Sequence, residues 1–121
     1  MKSKVLIVDD EIKTCEILQN YFQNLFDVDV AYDGQEAMEK VEAFNPDCVL
    51  LDIKMPNIDG LQVLKKLKPR FPDIKFIMVT ANRSVSKMMD SIMSDAFDYV
   101  PKPIQLEELE KKILLALEQP H

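Results

Sequence analysis

Five residues with chemistry in their side chains stand where short apolar runs stop. Asp9 and Asp10 follow Val5-Leu6-Ile7-Val8, Asp52 follows Cys48-Val49-Leu50-Leu51, Thr80 follows Ile74 to Val79, and Lys102 follows Ala96 to Val100 after one proline. Three carboxylates brought together repel one another; a single pair at about 5 Å costs roughly 3 kcal/mol at an effective dielectric of about 20. Such a cluster favours a hard divalent cation with oxygen ligands. Mg²⁺ fits best, with Mn²⁺ as the alternative, because it takes few protein carboxylates and keeps positions for water and a phosphate oxygen. Beside it, Thr80 offers a hydroxyl donor and Lys102 a compact positive charge. Cation, hydroxyl and ammonium together suit the three oxygens of a phosphoryl group. Asp52 would be the nucleophile, since a carboxylate that attacks phosphorus becomes an aspartyl phosphate. Taken singly, each residue has a plainer explanation: an Asp or Thr after a strand is commonly a helix cap, and a Lys between prolines is commonly solvated. The weight lies on all five falling at one edge of the molecule.

Alternating elements would bring them there. Val5–Val8 reads as a strand buried on both faces. Ile12, Cys15, Leu18, Phe22 and Leu25 then give a helical stripe. Val28 to Tyr32 is a weaker second strand, and Asp33-Gly34-Gln35-Glu36 has the spacing of a capping box before a helix presenting Ala37, Val41 and Phe44. Cys48–Leu51 is the third strand, and Leu61, Leu64 and Leu67 mark a short third helix. Ile74 to Val79 is the fourth strand. Val85, Met88, Met89, Ile92 and Met93 mark the fourth helix, Ala96 to Val100 the fifth strand. Leu106, Leu109, Ile113 and Leu117 mark the fifth helix, with Glu107–Lys111 and Glu108–Lys112 as i,i+4 pairs. This is an α/β pattern, (βα)5, which predicts a doubly wound, five-stranded parallel sheet with helices on both faces. The flavodoxin-like order 2-1-3-4-5 puts the switch point between the first and third strands, where ligands bind at the strands' carboxyl ends.

Composition removes other function classes. The 121 residues, read as one domain over 1–121, include only 2 glycines, too few for a P-loop or a dinucleotide-binding loop, so no organic cofactor site is expected. A net charge of −6 with scattered lysines argues against direct nucleic-acid binding. The longest apolar run, Ile113 to Leu117, is far short of the ~20 residues of a membrane span, and the N-terminus has too few apolar residues for a signal peptide. The expectation is a soluble, cytoplasmic protein with no membrane association. Cys15 and Cys48 lie far apart without a metal-binding spacing and read as reduced, buried thiols.

Four segments carry a resemblance: Val5-Leu6-Ile7-Val8-Asp9-Asp10-Glu11; Leu50-Leu51-Asp52-Ile53-Lys54-Met55-Pro56 with Asp59-Gly60; Val79-Thr80-Ala81; and Ala96-Phe97-Asp98-Tyr99-Val100-Pro101-Lys102-Pro103. In this order and spacing they resemble the receiver domains of bacterial two-component response regulators, such as the chemotaxis regulators, across essentially the whole chain. The resemblance implies Asp52 as phosphoacceptor, Asp10 as a direct Mg²⁺ ligand with Asp9 direct or through water, and the backbone carbonyl of Lys54 as a further ligand. It implies Thr80 as switch hydroxyl, Tyr99 as switch aromatic, Lys102 as the phosphate-binding lysine, and a cis Lys102–Pro103 bond. Lys54 and Asn82 would tune the lifetime of the phosphoryl group. Asp95, where the family usually has glycine, and Pro101 depart from the pattern.

The implied function is a phosphorylation-dependent signalling switch, not a conventional enzyme. A sensor histidine kinase or phosphotransfer protein would supply the phosphoryl group. The surface of the fourth helix, fifth strand and fifth helix, with Met88, Met89 and Met93, would then control a downstream protein or an output domain outside this sequence. The chain would be a monomer or a phosphorylation-dependent dimer. Three other readings stay open at this point. One is a small-substrate phosphohydrolase, whose DxDx[TV] pattern Lys54 breaks; another is a flavin-binding domain, whose phosphate Asp9-Asp10-Glu11 would repel. The third is a receiver that only docks.

Overall fold

Residues 2–55, 59–80 and 96–118 are described in the computed structural model. Strands and helices alternate as β1 (Lys4–Val8), α1 (Ile12–Phe22), β2 (Asp27–Ala31), α2 (Gly34–Phe44), β3 (Cys48–Asp52), α3 (Gly60–Leu67), β4 (Lys75–Thr80), β5 (Asp98–Pro101) and a C-terminal helix (Leu106–Glu118). All four strand pairings are parallel, in the order β2-β1-β3-β4-β5. The doubly wound fold expected from the alternating pattern is the one observed. The expected fourth helix, with Val85 and its methionines, lies outside the described residues.

Strand alternation sorts the core into two layers. Val5, Ile7, Cys48, Leu50, Ile77 and Val79 pack with Cys15, Leu18 and Phe22 of α1 and Leu109, Ile113 and Ala116 of the C-terminal helix. Leu6, Val8, Val49, Leu51, Phe76 and Met78 face the other way, onto Ala37 and Val41 of α2 and Val63, Leu64 and Leu67 of α3. Asp47 ties the amino ends of the sheet. Its N–H donates to the Lys4 carbonyl (2.8 Å), its carboxylate accepts from the Lys4 N–H (2.8 Å), and its carbonyl accepts from the Lys75 N–H (3.1 Å). Register is thereby fixed, and the carboxyl ends of β1, β3 and β4 arrive side by side.

Several local expectations are corrected. Ile12 and Leu25 do not belong to the buried face of α1: they are 59% and 46% exposed, and the helix ends at Phe22. Phe26, further along, fills the core instead. Asp33 does cap α2, accepting from the Glu36 N–H at 2.7 Å, but Glu36 returns its bond to the Tyr32 N–H rather than to Asp33. The complete capping box is at α3, between Asp59 and Gln62. Within α3, Val63 is buried, whereas the expected Leu61 is only partly so. Neither expected i,i+4 pair forms on the C-terminal helix; Lys112 reaches Asp98 (3.3 Å) and the Tyr99 carbonyl (2.8 Å) across to β5. The tertiary partner is nearer and less solvated than the helical one.

Candidate functional site

The carboxyl edge gathers the acidic residues as the sequence predicts. Asp9 leaves β1 with its N–H on the Ala31 carbonyl (3.1 Å), extending the ladder to β2. Its Oδ1 accepts from the Glu11 N–H (2.9 Å), and its carbonyl accepts from the buried Cys15 thiol (3.3 Å). Asp52 closes β3, level with Val79 of β4. Oxygens of Asp9, Asp10 and Asp52 all lie within 4.8 Å of one another, with Asp9 and Asp52 buried and Asp10 exposed. Thr80 is buried at the end of β4, and its carbonyl accepts from the Lys102 N–H (2.8 Å). That bond sets Lys102 just past β5, before a cis Lys102–Pro103 peptide, as the family resemblance implied. The Lys102 ammonium stands 3.3 Å from Asp52 Oδ2 and 3.6 Å from Asp9 Oδ2.

Burial pushes the Asp52 carboxyl up to about 6; the Asp9 charge adds to the rise and Lys102 opposes it. Asp9 is raised as well, again chiefly by burial, against its bond from Glu11 and the charge of Lys102. Burial works against the Lys102 ammonium, yet Asp52 and Asp9 outweigh it and hold its pKa above the ordinary lysine value. Three carboxyl groups gathered around one ammonium leave the cluster short of positive charge. A divalent cation with oxygen ligands suits that balance, and the oxygen spacing admits one.

The remaining expected residues sit further out. Lys54 is exposed, with its N–H 3.4 Å from Asp52 Oδ1, a long contact. Tyr99 is 37% exposed, with the Lys112 ammonium 5.6 Å from its ring centroid. Pro101 is the last residue of β5, an edge position where the missing N–H is tolerated. Asn82, Ala81 and Asp95 lie outside the described residues. Both thiols are free and buried, and burial pushes each up to about 12, so neither is poised to react.

Two features escape the sequence reading. A cleft of about 300 Å³ opens beside Lys102, lined by Thr14, Ile17, Leu18, Ile104 and Leu106 among others. The spacing rule that put Ile12 in the core gave no sign of it. Gly60, at the head of α3, donates its N–H to the Ile53 carbonyl (2.8 Å), directly behind the acidic cluster.

A family model, the response regulator receiver domain, matches residues 5–114. Among curated relatives, the response regulator MprA of Mycobacterium ulcerans is 38% identical over 110 residues, which are 90% of this chain and 47% of that protein. The chain thus spans about half the length of the curated relatives it matches. Among solved structures, the Vibrio cholerae chemotaxis protein CheY4 superposes with a TM-score of 0.88 at 27% identity, covering 97% of this chain and 100% of that one. The Thermotoga maritima response regulator TrrA, solved in complex with Mg²⁺-BeF, gives 0.87 at 34% identity over 95% and 99% of the two chains.

Proposed function

Since this chain belongs to the response regulator receiver domain family, not a conventional enzyme family, we propose that it is a phosphorylation-dependent signalling switch. Asp52 accepts a phosphoryl group from the phosphohistidine of a sensor histidine kinase or phosphotransfer protein. The carrying observation is the meeting of a buried, strand-end Asp52 with Lys102 at 3.3 Å and with Asp9 and Asp10 inside one cation-sized cluster.

An Asp52 oxygen attacks phosphorus, the P–N bond breaks, and the donor imidazole leaves with its electron pair. Lys102 and the Thr80 hydroxyl meet the equatorial oxygens as charge spreads onto them. Burial keeps competing water away from Asp52 and strengthens both contacts. Asp9, Asp10, Asp52 and the Lys54 carbonyl would hold Mg²⁺, or Mn²⁺, which would supply positive charge against the phosphoryl oxygens. Lys54 and Asn82 set the lifetime of the product. The long ammonium of Lys54 shields the phosphoryl group, and an amide at position 82 cannot act as a general base, so self-dephosphorylation is slow.

The signal leaves through Thr80 and Tyr99. Recruiting the Thr80 hydroxyl shifts a pre-existing equilibrium and changes the surface of β5, the C-terminal helix and the segment that the sequence pattern marks as a fourth helix. The receptor of that change is a downstream protein or an output domain, reached as a monomer or a phosphorylation-dependent dimer in the cytoplasm. Among the described residues, no helix is long and apolar enough to cross a membrane.

Intact mass after incubation with Mg²⁺ and acetyl phosphate tests the core of this reading. One added phosphoryl group that disappears in Asp52→Asn is the expected result; equal labelling of the variant rejects Asp52. Decay of the labelled protein is expected to quicken in Lys54→Ala, and unchanged decay would remove Lys54 from lifetime control.

A further inference from the structure

Gly60 is buried, and none of the described glycines has a positive φ, so Gly60 is not present for backbone freedom. Space is the reason. A Cβ at this position would stand 2.2 Å from the Asp52 carbonyl oxygen, 2.9 Å from the Asp52 carbonyl carbon and 2.9 Å from the Ile53 Cα. Every one of these is a backbone atom, which cannot rotate aside as a side-chain tip could.

The crowded group is the peptide that carries Asp52. Its N–H, that of Ile53, donates to the Val79 carbonyl of β4 (3.0 Å), and the carbonyl of the next peptide, that of Ile53, accepts from the Gly60 N–H (2.8 Å). α3 itself is fixed at both ends. Asp59 and Gln62 close a capping box at its head, with bonds of 2.9 and 3.0 Å, and Val63, Leu64 and Leu67 anchor it in the core beside Leu51. The Asp52–Ile53 peptide is therefore tied to β4 directly and to the first turn of α3 through the peptide that follows it.

We infer that Gly60 is a positioning residue for the phosphoacceptor: its missing side chain lets α3 close onto the Asp52–Ile53 peptide and so fixes where the Asp52 carboxylate stands relative to Lys102, Asp9 and Asp10. This rests on the reading of Asp52 as phosphoacceptor. Restoring ordinary contact around an added methyl takes a shift of about 1 Å, and misplacement on that scale costs up to about 100-fold in rate.

The test compares Gly60→Ala, Gln62→Ala and Val41→Ala with the wild type. Melting temperature, Mg²⁺ affinity by NMR titration, and the rate of labelling by acetyl phosphate at saturating Mg²⁺ are measured for each. Gly60→Ala is expected to label at least about tenfold more slowly. Val41→Ala, which destabilises the same core layer from α2 and leaves α3 with its own anchors, is expected to stay within about twofold at temperatures where it is folded. Gln62→Ala, a charge-neutral loosening of the cap, is expected to slow labelling about threefold with little change in melting. Wild-type rates in Gly60→Ala, or an equal fall in Val41→Ala, would overturn the inference. If Gly60→Ala does not fold, Gln62→Ala decides: slower labelling supports the inference and wild-type labelling rejects it. If the wild type itself takes up no phosphoryl group, the functional reading fails. Gly60 is then judged by a crystal structure of Gly60→Ala, in which an unmoved Asp52 carboxylate rejects it and a displaced one supports it.

Discussion

β3 and β5 deliver side chains to the same edge under opposite conditions. Every residue of β3 is buried, and it ends in Asp52. Only one residue of β5, Val100, is fully buried, and the strand carries the exposed Tyr99. The central strand holds a charged group where solvent cannot relax it, at a cost visible in the raised Asp52 pKa. The edge strand carries a ring held from outside by Lys112 alone among the described cations. A carboxylate meant to react needs a fixed address, whereas a side chain meant to report needs a shallow well. The two strands supply these separately.

The largest test of that contrast is unfolding. Leu50→Ala in β3 is expected to cost about 3 kcal/mol, because Leu50 is 1% exposed between packed layers. Tyr99→Ala in β5 should cost below about 1 kcal/mol. Urea unfolding of both reads the difference, and equal losses would break the comparison. Next, Asp52→Asn is expected to stabilise the metal-free protein at pH 7. Raising a carboxyl from 3.8 to about 6 on folding corresponds to about 3 kcal/mol lost once it ionises. A variant no more stable than wild type would show that the pocket does not strain Asp52.

The same shift gives an unusual pH profile. Folded Asp52 holds its proton more tightly than unfolded Asp52 does, so stability of the metal-free protein should fall as pH rises from about 4 to about 6, then level off. Asp9, also raised, adds in the same direction; the raised Lys102 is protonated throughout this window and leaves the slope unchanged. At pH 7, Mg²⁺ at 100 times its dissociation constant should restore about 2.7 kcal/mol. Thermal melts across pH, with Mg²⁺ and with EDTA, measure both, and stability rising through that window would contradict the sign. The smallest effect is expected at β5. Lys112→Met should change stability by less than about 1 kcal/mol, while making Tyr99 resonances more mobile by NMR.

The residues of the pocket were legible because each interrupts an apolar run. Asp9, Asp52, Thr80 and Lys102 could be read from local pattern plus the rule that ligands meet parallel sheets at their carboxyl ends. Helix faces were less legible. Ile12 fits the spacing of a core stripe but starts the helix at its solvent side, and only packing distinguishes it from Cys15. Glu108 and Lys112 have ideal helical spacing, but no one-dimensional rule reveals that Asp98 stands closer. Gly60 was visible as part of a motif, yet its contact with Asp52 spans a loop and appears only in three dimensions.

The two-layered core also divides the ways this chain can vary. Val49 and Leu50 are neighbours in sequence but belong to different packing layers, so substitutions there should add in free energy more nearly than those of Leu50 and Ile77, which share one. One layer carries α1 and the C-terminal helix; the other carries α2 and α3, the latter closing on Asp52. A substitution confined to one layer should therefore be felt less by the packing of the other. In that sense the sheet acts as a partition wall between two rooms of the interior, each furnished independently.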